Sequence, residues 1–225
     1  MKQLSCYIIV ILIMLAGCKS STEKEMQSIQ TVTDIFDRAE IKDLATIVDF
    51  FNAQICDEPK NTKDEITKCY QRFFKQMKEC EIKGDIIVPI PFEKQQELYS
   101  QISTKSFNEI WAYRQNWARV LVDSVLYDSY VTEIHIKCNG KYLQFLEKLG
   151  SENEVISNYL DALDKVGGMI NPTLVAWVIY YDDQFDVKDL RFQIFIAIHY
   201  LTLNDCSVSQ ERMMNEVRQR AQKVR

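Results

Sequence analysis

Two histidines and seven cysteines limit the metal and nucleophilic chemistry open to this 225-residue chain. His135 and Cys138 are three positions apart and His199 and Cys206 are seven apart. On helices each pair would share a face, and together the four have the ligand types of a Cys2His2 zinc site. Their spacing matches no familiar finger. A histidine flanked by Phe192, Phe195 and Leu203, as His199 is, also reads as a hydrogen-bonded core residue. The two rings are too far apart for an H-E-x-x-H helix. Asp182, Asp183, Asp186 and Asp189 are dense enough for calcium or acid–base work, but lack the central glycine and closing glutamate of an EF-hand. A loop at Asp182 and Asp183 that leads into a helix, with Asp186 as its cap and Asp189 at its positive end, suffices to account for them.

Trp111, Tyr113, Arg114, Trp117 and Arg119 combine rings with guanidiniums, which makes them a candidate surface for a protein or glycan partner. At helical spacing Trp117 instead joins Ile110, Val120 and Leu121 on a core face. Glu109 and Glu133 are candidate acids for a glycan-cleaving site. The six glycines form neither G-x-G-x-x-G nor a P-loop, so nucleotide binding by those routes is excluded. A net charge of −5 argues against a nucleic-acid partner, and no cofactor is implied.

The N-terminus has a charged start at Lys2, an apolar run from Tyr7 to Leu15, and then Ala16-Gly17-Cys18. Such a run is a secretory signal, too short to remain as a membrane span. Leu15-Ala16-Gly17-Cys18 resembles the lipobox of bacterial lipoproteins. The resemblance implies cleavage before Cys18, lipidation of that cysteine, and a membrane partner through the acyl chains. Lys19, where an aspartate would signal retention, resembles the outer-membrane pattern. Two or more acyl chains anchor stably where one binds marginally. Residues 1–17 are therefore expected to be a leader, and the polar stretch 18–33 a flexible tether.

The remainder, 34–225, reads as an all-α domain, a bundle or irregular array of about nine helices. These are expected near 34–56, 63–82, 92–103, 107–128, 141–149, 152–166, 172–182, 187–204 and 208–224. Capping boxes at Thr62/Glu65, Ser106/Glu109, Ser151/Glu154 and Ser207/Gln210 open four of them, and Asn171-Pro172 another. Pro89 and Pro91 force 82–92 to be extended, which makes it a candidate sub-boundary. Alternation near 132–144 followed by Asn139-Gly140 is a hairpin signal; the other reading ends a helix at Gly140. The last helix carries Met213, Val217, Ala221 and Val224 as an apolar stripe. Its other sides are basic, facing solvent, anionic lipid or an acidic partner.

Beyond Cys6 and Cys18 five cysteines remain. An antiparallel hairpin of the first two helices brings Cys56 near Cys69, so a disulfide between them is favoured; the alternative leaves all five as buried thiols. The expected protein is a lipid-anchored envelope component acting by protein–protein contact, as a scaffold, accessory subunit or immunity-type inhibitor. A glycan-directed hydrolase and a ligand-binding lipoprotein are the alternatives.

Overall fold

Thr62 and Glu65 exchange the two hydrogen bonds of a capping box, and Asn171 accepts from Leu174 N with Pro172 at the first helical position. Such local signals start the helices where the apolar periodicity begins. The computed structural model describes residues 20–56, 62–84 and 86–223. The leader and Cys18 lie outside these residues.

The elements, in order, are α1 (Ser21–Met26), α2 (Gln30–Thr33), α3 (Arg38–Ile55), α4 (Lys63–Lys83), α5 (Phe92–Gln101), α6 (Thr104–Ile110), β1 (Trp111–Val122), β2 (Val125–Ile136), α7 (Lys141–Gly150), α8 (Glu154–Lys165), α9 (Pro172–Tyr180) and α10 (Leu190–Lys223). A single turn of 3-10 helix spans Asp182–Gln184. The protein is thus mostly helical, with one two-stranded antiparallel hairpin.

Four expectations are corrected. The stretch expected as a tether, 18–33, is helical from Ser21, because Met26 and Val32 bury completely against the core. The expected helix 107–128 stops at Ile110 and continues as β1. The hairpin is therefore not turned by Asn139-Gly140; Gly140 caps α7, and its Cα approaches Glu109 O too closely for a side chain. The expected pair 187–204 and 208–224 is one helix of 34 residues, α10. Ser207 and Gln210 sit in its middle, where no glycine or proline interrupts the chain. It begins after Asp189, whose carboxylate accepts from Arg191 N, and not after Asp186.

The first half of α10 is the centre of the core. Ile194, Phe195, Ile196, Ala197, Ile198, Tyr200 and Leu201 have no exposed surface, as apolar residues on every side of a helix require. One core runs from Met26 to Leu203 and includes Val88 and Ile90 of the 82–92 connector. α1, the start of α4 and the approach to α10 meet at one end: Thr22 donates to Asp49, and Lys63 to Glu25 and the Lys188 carbonyl. From there α10 runs about 50 Å at 1.5 Å per residue, its second half lying along the hairpin.

Candidate functional site

The hairpin is anchored at its base and projects beyond the core. Asp43 fixes the approach, its Oδ2 accepting from Ser103 N, Ser103 Oγ and Ser106 Oγ. Ser103, and not the expected Ser106, caps α6. Trp111 is fully buried between Tyr99 and Phe107, and its indole N–H donates to Thr202 Oγ1 of α10 at 2.8 Å. Beyond that plug the two strands pair without interruption from Trp111↔Ile136 to Val122↔Val125. Asp123 and Ser124, both at positive φ, make the two-residue turn whose twist matches the strands.

Strand geometry divides the side chains between two faces. One face carries Asn116, Val120, Val131, Glu133 and His135, and α10 covers it through Met213 and Val217. Here Glu133 Oε1 accepts from Asn116 Nδ2 (2.7 Å) and faces His135 Nε2 (3.1 Å), while Oε2 accepts from Gln210 (3.3 Å). Burial pushes the Glu133 carboxyl up, but the bonds from His135, Gln210 and Asn116 outweigh it and hold the group below its ordinary value. Asp205 goes the other way. Burial raises its carboxyl, against one compensating bond from Ile134 N.

The opposite face is uncovered along most of its length. Tyr113, Trp117, Leu121, Leu126 and Tyr130 project from it, each more than half exposed. Trp117 stands directly across from Tyr130, and Leu121 from Leu126. The Arg119 guanidinium lies 4.7 Å over the Trp117 ring and pairs with Asp128 at 3.1 Å. An apolar patch bordered by charge has the composition from which contact surfaces are built.

The predicted aromatic and arginine group is thus redistributed by its strand conformation. Tyr113, Trp117 and Arg119 share the open face. Trp111 belongs to the core, and Arg114 points to the other face, its guanidinium 3.7 Å from Cys138 Sγ. Leu121, Leu126 and Tyr130 complete the surface and were missed. The period-two spacing Tyr113, Gln115, Trp117, Arg119, Leu121 was the signal that could have found Leu121; Leu126 and Tyr130 join the face only through the strand pairing.

The four zinc candidates are not gathered. His199 is buried against Tyr159, Phe195 and Tyr200, with its Nδ1 2.9 Å from Tyr159 Oη. His135 meets Glu133, Cys138 meets Arg114, and the Cys206 thiol donates to Ile134 O. Among the described residues no group of three or more His, Cys, Asp or Glu side chains could hold a metal ion. Glu109 accepts from Lys141 N and so caps α7. The acidic loop borders a cleft of about 590 Å3 with Tyr70, Phe74 and Phe185. There Asp182 pairs with Lys78, and Asp186 accepts from Lys188 N. Cys56 and Cys69 form a disulfide, with Cα atoms 5.3 Å apart.

Comparison with known proteins finds no matching family, no matching characterised relative and no solved structure that matches the chain.

Proposed function

We propose that this is a lipid-anchored protein of the bacterial cell envelope that acts by binding another protein through the open face of its hairpin. The observation that carries the reading is the placement of five large apolar side chains on one uncovered sheet face. Rings beside a guanidinium are the residue types that dominate protein contacts. The glutamates available to a glycan hydrolase have other tasks: Glu109 caps a helix, and Glu133 is held ionised among amide donors.

Anchor geometry gives the surface a sense. Cys18 precedes Ser20 by two residues, at most about 7 Å of chain, and Ser20 caps α1 at the end where α10 begins. Arg220 of α10 reaches the Asp128 carbonyl near the hairpin tip. Between Leu190 and Arg220 lie about 45 Å of helix axis. Lipidation at Cys18 would hold the helical body at the membrane and present the hairpin away from it. No helix among the described residues is long and apolar enough to cross a membrane.

Replacing Tyr130 by a photo-crosslinking phenylalanine in intact envelopes should give one discrete protein adduct, while the same group at exposed Lys75 gives none. Equal labelling at both positions, or none at Tyr130, overturns the reading. Release of soluble glycan fragments by the purified protein would favour the hydrolase. Acyl labelling lost in Cys18→Ser tests the anchor.

A further inference from the structure

The two edges of the hairpin are treated differently. The outer edge of β2 is closed at its base, and nearer the tip Arg220 donates to the Asp128 carbonyl. Ile134 N donates to Asp205 Oδ1, the Cys206 thiol donates to Ile134 O, and Ile136 N donates to the Gly168 carbonyl. Ile134 and Ile136 therefore turn their backbone groups away from β1. By the antiparallel alternation their partners Tyr113 and Trp111, and then Gln115, Trp117, Arg119 and Leu121, turn theirs away from β2. At the base Trp111 N donates to the Phe107 carbonyl; from Tyr113 to Leu121, among the described residues, no backbone hydrogen bond closes this side of β1.

The open stretch from Tyr113 to Leu121 is about 26 Å long at 3.3 Å per residue. It contains no proline, and its register has no bulge. Edges are normally covered, shortened or twisted out of reach, because a row of unpaired N–H and C=O groups templates another strand. This edge is long and regular, and it borders the open aromatic face. It is also cationic: β1 carries Arg114 and Arg119 and no acidic residue. Arg119 has Asp128. Arg114 has no carboxylate within ion-pair reach among the described residues, and its polar contact is the Cys138 sulfur.

We propose that the free edge of β1 receives an extended, acidic segment of the partner protein as a third strand, an inference that rests on the binding role given above. Main-chain bonds to Tyr113, Gln115, Trp117, Arg119 and Leu121 supply its register. Alternate apolar side chains continue the face formed by Trp117 and Tyr130, and a carboxylate meets Arg114. A second copy of this chain fits the edge poorly, since pairing β1 with β1 would bring four arginines together with no carboxylate on either strand.

The test selects from a random twelve-residue peptide display library against the full chain in detergent. Enriched peptides should alternate apolar and polar residues and contain Asp or Glu. N-methylation of the alternate amides that face β1 should weaken a selected peptide at least about tenfold, with little effect from methylating the other set. Gln115→Pro removes an outward N–H without breaking the β1–β2 ladder and should weaken binding by a similar factor. Arg114→Glu, a surface change that leaves the backbone alone, should reverse the preference from glutamate to lysine peptides. Absence of enrichment, insensitivity to N-methylation, or dimerisation of the chain through β1 overturns the proposal. If the Tyr130 adduct is lost in Trp117→Ala but kept in Gln115→Pro, the binding role stands and strand addition falls. If the wild type gives no adduct, both fall.

Discussion

Trp117 and Tyr130 stand directly opposite each other across the hairpin, 53% and 60% exposed, on the outer stretch of a sheet face that helices cover only at its base. Six residues earlier in the same strand, Trp111 points to the same side but is completely buried. The two tryptophans therefore separate stability from surface. Trp111→Ala should cost about 3–5 kcal/mol, as loss of a large buried ring does, with Thr202 also losing its donor. Trp117→Ala should cost under about 1 kcal/mol, the scale of one cross-strand pair. Urea denaturation of the two variants measures both; similar losses would mean that the outer face is packed after all.

The helical body was legible in the sequence because its signals are local. Thr62, Glu65, Asn171, Pro172 and Gly84 mark helix ends by their own hydrogen bonds or backbone angles. The hairpin was legible only in part: the alternation Glu133-Ile134-His135-Ile136 signals a strand and is the end of β2, but β1 and the true turn were hidden, for a physical reason. A strand with a polar outer face shows clean alternation, whereas β1 has Trp117 and Leu121 outside and Ala118 and Val120 inside, so both faces look apolar. Ile110, Trp117, Val120 and Leu121 then satisfy a helical spacing by accident. Asn139-Gly140 advertised a turn that α7 uses as its cap. Tyr113, Trp117 and Arg119 were singled out by residue type, but only the pairing of the strands brings Tyr130 and Leu126 beside them.

The hairpin turn is built from residues that favour it weakly. Asp123 and Ser124 hold φ values of 50° and 65°, a conformation that aspartate tolerates through its short polar side chain but that costs Ser124 roughly 1–2 kcal/mol. Asparagine and glycine suit such a turn best. The double change Asp123→Asn, Ser124→Gly should stabilise the protein by about 1 kcal/mol and raise its Tm. A fall in Tm would show that the turn has another geometry in solution.

Glu133 and Asp205 should respond to charge removal with opposite signs. Glu133 is held below its ordinary value. Its stabilisation is therefore present above the unfolded value near 4.5 and is lost as pH falls through the lower folded one. Glu133→Gln sets an amide against amide donors and should destabilise by about 1–2 kcal/mol at neutral pH, less in acid. Asp205 is raised. Its favourable contribution is full below 3.8 and disappears as pH rises through the folded value. Asp205→Asn keeps an acceptor for Ile134 N and should be the more stable protein at pH 7, with the advantage shrinking towards pH 4. Melting curves of both variants across that range check the signs.

The disulfide joins the end of α3 to the second turn of α4 and closes a loop of 13 residues. A loop of that size corresponds to about 3 kcal/mol in the chain-entropy description. Replacing Cys56 and Cys69 together by serine should lower unfolding stability by about that amount. Alkylation of the native protein should modify the partly exposed Cys80 and Cys138 ahead of the buried Cys206. Labelling of Cys56 or Cys69 without reductant would contradict the bridge.

His199 should make the fold acid-sensitive without taking part in any site. Its ring is enclosed by Tyr159, Phe195 and Tyr200, and burial lowers its value from 6.5 to about 3. Above pH 6.5 both folded and unfolded chains hold it neutral, so its contribution is complete. Between pH 6.5 and about 3 the unfolded chain takes up a proton that the folded ring refuses. Stability then falls as pH falls, by up to about 1.4 kcal/mol per pH unit from this group. Carboxylates titrate over the lower part of that window, so the informative quantity is the difference from a variant that cannot titrate. His199→Gln keeps a polar partner near Tyr159 and abolishes the proton uptake. Its stability between pH 6 and pH 4 should decline less steeply than the wild type's by about that increment, read from urea midpoints. Parallel curves would mean that water reaches the ring in the folded protein, and that the His199–Tyr159 contact is not sealed in the core.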